Sequence, residues 1–112
     1  MKKAALLGVV PALAIAPLAA TSTLQGTVGP GSTITLTKGG SSVHKLPAGR
    51  YRFKVSDKSD QHNFHLKGPG VNKKTSVSGT GTVTWKITVK KGKYTFVCDA
   101  HPEMMRGHFT VK

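Results

Sequence analysis

The chain has 112 residues, with 17 Lys and Arg against 4 Asp and Glu, five histidines and one cysteine. That length permits one ordinary domain and not two, and a lone Cys builds neither a disulfide framework nor a Cys-rich zinc site. Four carboxylates make a paired-carboxylate hydrolase a poor fit, and 13 glycines with 6 prolines favour a turn-rich fold over a helical bundle.

Met1-Lys2-Lys3 leads into Ala4–Ala20, an uncharged, almost wholly apolar stretch that ends in small residues (Ala19-Ala20-Thr21-Ser22). A short basic start, an apolar stretch and a small-residue end describe a secretory signal. As a membrane span the stretch falls short of the roughly 20 residues required, and Pro11 and Pro17 break it. Residues 1–20 are therefore expected to be an export signal, cleaved near residues 20 to 23. What remains is a single domain over residues 21–112, expected in a periplasmic or extracellular location. Removing Lys2 and Lys3 leaves 15 cationic and 4 anionic side chains, a net of +11. Such an excess favours acidic partners and suits peripheral contact with an anionic membrane surface. Export argues against nucleic acid.

Beyond Thr21 no long amphipathic helix is indicated; short alternating runs separated by Gly and Pro turns predict a β-sandwich or barrel. Thr33 to Thr37 alternates weakly. Arg50 to Val55 alternates cleanly, with Tyr51, Phe53 and Val55 on one side and the cations on the other. In Gln61-His62-Asn63-Phe64-His65-Leu66, His62 shares a side with Phe64 and Leu66, so it is expected to cap the core at a strand's start. His65, with Asn63 and Lys67, is expected to face solvent. Val83, Trp85, Ile87 and Val89 share an inner face, as do Tyr94, Phe96 and Cys98, and finally Phe109 and Val111. Gly79-Thr80-Gly81 reads as a turn, because no P-loop lysine motif follows it. Because the aromatics lie opposite the cations, they belong to the core. A single-strand nucleic-acid binder would instead place them beside the cations on an exposed face.

The segment Cys98-Asp99-Ala100-His101-Pro102-Glu103-Met104-Met105-Arg106-Gly107 carries the chemistry. A thiol ends an inward-facing strand, an imidazole follows three residues later, then a thioether, with Pro102 and Gly107 expected to limit or redirect the backbone. Sulfur and imidazole donors suit copper, and two His with one Cys and a distant Met make a blue-copper electron-transfer site. Parity selects His62 as the second imidazole. Alone, Cys98 would be a small buried hydrophobe; the conjunction with His101, a Met and an inward His62 makes it a ligand. Its other use, as a catalytic nucleophile, lacks a supporting acid–base apparatus, so no enzymatic activity is expected. His44 and His108 are expected at the surface.

From about Gly26 to Lys112 the chain resembles the small type 1 copper proteins, the cupredoxins of the plastocyanin, pseudoazurin and amicyanin group. The likeness rests on His62-Asn63 followed by alternating apolar residues, and on Cys98-x-x-His101 followed by Met and Gly. It implies an eight-stranded Greek-key β-sandwich holding one copper ion, with His62, Cys98 and His101 as equatorial ligands. Asn63 would hydrogen-bond across to the Cys98 loop. Spacing permits either Met104 or Met105 as axial ligand, and the family habit of a Met before Lys or Arg and then Gly favours Met105. The implied function is one-electron transport by a monomer between redox proteins. Ala100, Pro102 and Met104 would surround His101 as a docking patch, and lysines would steer an acidic partner. Copper storage or delivery without rapid redox cycling is the alternative.

Overall fold

The computed structural model describes residues 21–112; the expected export signal lies outside them. The described chain forms ten strand segments in two five-stranded sheets. They are β1 (Ser22–Val28), β2 (Ile34–Lys38), β3 (Ser41–Ser42), β4 (Lys45–Leu46), β5 (Gly49–Asp57), β6 (His65–Gly68), β7 (Val71–Lys74), β8 (Gly81–Val89), β9 (Gly92–Val97) and β10 (Arg106–Val111). One sheet runs β3-β2-β1-β5-β8 and the other β4-β10-β9-β6-β7. The all-β sandwich expected from the sequence is what the chain forms. The count exceeds the eight strands that the family resemblance implied, because the two-residue pieces β3 and β4 lie on one stretch that crosses from the first sheet to the second.

Of the strands that the sequence pattern does not mark (β1, β3, β4 and β7), β1 is the longest. It is polar and carries Gly26, yet it pairs in parallel with β5 over seven positions, Ser22 with Tyr51 through Val28 with Asp57. Leu24 and Val28 point fully into the core. Period-two patterning is otherwise obeyed: Tyr51, Phe53 and Val55, then Tyr94, Phe96 and Cys98, then Phe109 and Val111 are all buried. In β8 only half of the expected inner face is covered. Ile87 and Val89 are buried, but Val83 is 37% exposed. As the outer strand of its sheet, β8 there borders an open cleft lined by Thr75, Ser76, Thr80 and Trp85.

Register also defines two ends of the sandwich. Asp57, Val28 and Gly81 meet at one end, and Gly49 meets Val89 at the other. In the second sheet Val97 lies opposite Arg106 and Gly92 opposite Val111. The turn Lys90-Lys91 joins Val89 to Gly92, so the starts of β5 and β9 share one end and their finishes share the other.

Candidate metal centre

Antiparallel pairing of β6 with β9 places His65 opposite Val97 and Leu66 opposite Phe96. Continuing that register past the ends of the two strands brings Asn63 to Asp99 and His62 to the Cys98 loop, although 36 residues separate the partners. Cys98 directly follows β9 on its inward side and is wholly buried. The chain then turns tightly. His101 donates its backbone N–H to the Cys98 carbonyl at 3.1 Å, Met105 donates to the His101 carbonyl at 3.0 Å, and Cys98 donates to the Met105 carbonyl at 2.9 Å. These bonds close residues 98–105 into a loop whose two ends enter neighbouring strands.

Three of the expected residues converge. His62 Nδ1 lies 3.7 Å from Cys98 Sγ, and His101 Nδ1 lies 3.9 Å from the same sulfur. One donor atom from each of the three fits within 4.8 Å of the others. The two imidazoles meet edge to face, with ring centroids 4.7 Å apart. Metal–nitrogen bonds of about 2.0–2.1 Å and a metal–sulfur bond of about 2.3 Å at a trigonal angle require nitrogen–sulfur separations of roughly 3.8 Å. The cradle therefore has the dimensions of a small metal ion before any side chain moves. His62 is 5% exposed, whereas His101 is half-buried and reaches the surface. The two methionines separate cleanly: Met105 is fully buried and Met104 is 70% exposed.

Asn63 binds the Cys98 loop as the resemblance implied. It accepts a hydrogen bond from the Asp99 backbone N–H at 2.8 Å and donates to the Asp99 carboxylate at 2.9 Å and the Thr75 carbonyl at 3.0 Å. Parity places Asn63 and His65 in solvent; Asn63 departs from it, whereas His65 keeps the side of β6 opposite buried Leu66 but is covered by polar partners. Asn63 is 1% exposed. The His65 ring is bridged between Asp99 Oδ1 (Nδ1, 2.8 Å) and Asn72 Oδ1 (Nε2, 2.6 Å). The physical reason is that β6 starts at His65, not at His62, so residues 62–64 lie outside strand alternation and all three turn inward. Burial acts to raise the Asp99 pKa, but hydrogen bonds from His65 and Asn63 and the positive charges of His65 and Lys74 outweigh it and hold the carboxyl below its usual value. At the end of β5, burial pushes the Asp57 carboxyl up, against the backbone N–H of Ser59.

Gly107 does not redirect the chain. It sits in β10 opposite Phe96, whose ring occupies the space a Cβ would need. His44 and His108 are exposed, as expected. No helix among the described residues is long and apolar enough to cross a membrane.

The sequence profile of the cupredoxin-like domain matches residues 9–111. The chain belongs to the cupredoxin-like family. Among solved structures, reduced rusticyanin superposes on this cupredoxin with a TM-score of 0.61 at 20% identity, over 82% of this chain and 79% of that one. Rusticyanin from Thiobacillus ferrooxidans gives 0.59 at 20% identity, over 82% and 77%. A chain of a heme-copper terminal oxidase dimer gives 0.51 at 22% identity, over 80% and 63%. No match is found among curated protein sequences. Likeness at these identities establishes the fold, and family membership points to a protein of the electron-transfer kind.

Proposed function

We propose that this cupredoxin is an exported one-electron carrier holding a single copper ion through His62, Cys98, His101 and Met105. The observation that carries the reading is the pair of imidazole Nδ1 atoms facing one buried sulfur at 3.7 and 3.9 Å. A buried thioether on the same loop supports the fourth ligand, and its exposed neighbour Met104 is left for the surface. A thiolate, two imidazoles and a thioether form a donor set that favours copper over harder ions.

Bound copper would supply the one-electron couple. The chain's own residues keep the cage constant. His62 is fixed by the segment before β6, the other three donors share one loop, and the packed interior behind them resists deformation. Within that interior Phe64 and Phe96, both buried, stack with ring centroids 5.6 Å apart. Because the donors hold one arrangement, gain or loss of an electron demands little rearrangement. Full burial of Cys98 excludes water from the sulfur, which binds metal as thiolate; loading therefore releases a proton and weakens in acid. The half-buried ring of His101, flanked by exposed Ala100, Pro102 and Met104, offers an edge through which a docked redox protein would exchange the electron.

The test is titration of the purified protein with Cu(II) under visible spectroscopy. An intense thiolate-to-copper band saturating at one ion per chain, with reversible reduction, is the expected result. Weak colour with rapid handover of Cu(I) to a chelator would instead assign copper delivery, and no binding would end the copper reading.

A further inference from the structure

The side-chain charges divide sharply between the two ends of the sandwich. All four carboxylates of the chain, Asp57, Asp60, Asp99 and Glu103, belong to the end that carries His62 and Cys98. Lys58, Lys74 and Arg106 lie among them, so that end is close to neutral. At the opposite end Lys45, Arg50, Lys90, Lys91 and Lys93 converge without a single acidic side chain. Lys45 pairs with Thr110, Arg50 follows the Gly49–Val89 pair, and the other three surround the β8–β9 turn. All five are exposed. Among the described residues the only ion pair is His65–Asp99, at the other end, so none of the five is neutralised. Nine residues of β5 separate the ends by about 26 Å at a strand rise of about 3.3 Å per residue.

We infer that this cationic end is a docking surface for an anionic phospholipid bilayer, which holds the molecule with its His101 edge facing away from the membrane. Two observations favour a lipid surface over an acidic protein. Stable protein interfaces are anchored by large apolar or aromatic side chains, yet the exposed large hydrophobics, Val83 and Met104, both lie toward the other end. The five cations project from three separated chain segments, which suits the diffuse potential of a headgroup layer more than a shaped pocket. An anionic surface would attract this end and leave the near-neutral end facing the aqueous phase. The inference does not depend on copper.

Co-sedimentation with vesicles tests it, comparing pure phosphatidylcholine with phosphatidylcholine containing phosphatidylglycerol. The full chain is measured beside the triple variant Lys90→Gln, Lys91→Gln, Lys93→Gln. A control, Lys54→Gln, Lys67→Gln, Lys86→Gln, removes the same charge from the two outer sheet faces. Each cation at a bilayer surface contributes about five-fold in partitioning, so the first triple is expected to weaken binding to anionic vesicles by about 100-fold and the control by far less. Neutral vesicles report any contribution of the apolar stretch, which is equal in all three proteins, and circular dichroism confirms that each is folded. Equal losses in both triples would show a net-charge effect and overturn the inference. Absence of phosphatidylglycerol-dependent binding, or pole-dependent binding to soluble polyglutamate only, would overturn it as well.

Discussion

The two ends of the sandwich satisfy their polar groups in different ways. At the cationic end two tyrosine side chains bond to nearby backbone: Tyr51 donates to the Pro47 carbonyl at 2.7 Å, and Tyr94 accepts from Lys90 N–H and donates to its carbonyl, both at 3.0 Å. At the other end the side chains of Asn63 and His65 reach Asp99 across 36 and 34 residues. Local bonds close turns and fix where a strand begins. Long-range bonds hold two distant segments at a set distance, as convergent donors on different segments require. All four carboxylates lie at the end that Asp99 clasps, and the unopposed cations lie at the other.

Several changes would break or sharpen this contrast, beginning with the largest. Replacing Cys98 by Ser removes the only thiol, so the intense visible band is expected to vanish and copper affinity to fall by orders of magnitude, read by metal titration. Next, Met105→Gln puts an oxygen donor in place of the buried thioether and is expected to lower the reduction potential, since a thioether favours Cu(I); Met104→Gln, at the surface, should leave it unchanged in voltammetry.

Removing the long-range clasp comes third. Asn63→Ala leaves the part-buried Asp99 N–H and Thr75 carbonyl without their partner, at a cost of about 1–3 kcal/mol. Thermal unfolding of the metal-free protein measures it. His65→Ala is milder, about 0.5–1 kcal/mol after solvent screening, because Asp99 is 38% exposed. It carries a pH signature. Asp99 has a lowered pKa in the folded state, so its contribution is present above the usual carboxylate range and is lost as pH falls through the lowered value. Without His65 the stability at neutral pH drops and its acid-side slope flattens, as urea unfolding at pH 7 and below would show. A slope identical to the parent's would mean that Asp99 is not held by His65. Smallest of all, Lys90→Gln should leave the visible spectrum and the melting temperature unchanged.

Much of this architecture was legible in the sequence. Strict alternation marked the inner faces of β5, β9 and β10, and a Cys on the core side with His101 three residues on announced the loop. The failures have a common cause in tertiary context. Periodicity says nothing about which partner a polar strand will find, so β1, rich in Ser, Thr and Gly, was invisible although it lies centrally in its sheet. Nor does it reveal where alternation stops. Placing a strand start at His62 gave the right side for that residue but put Asn63 and His65 in solvent. Asp99, the group that partners both, is 34 to 36 residues away. Met105 was favoured by family habit alone; its burial beside an exposed Met104 supplies the independent reason.

Anomalous X-ray scattering at the copper edge from a copper-loaded crystal tests the central claim most directly. One strong peak is expected within bonding distance of Cys98 Sγ and of the Nδ1 atoms of His62 and His101, with Met105 as the nearer methionine. A peak on other side chains, or one that engages His65 in place of His62, would contradict it.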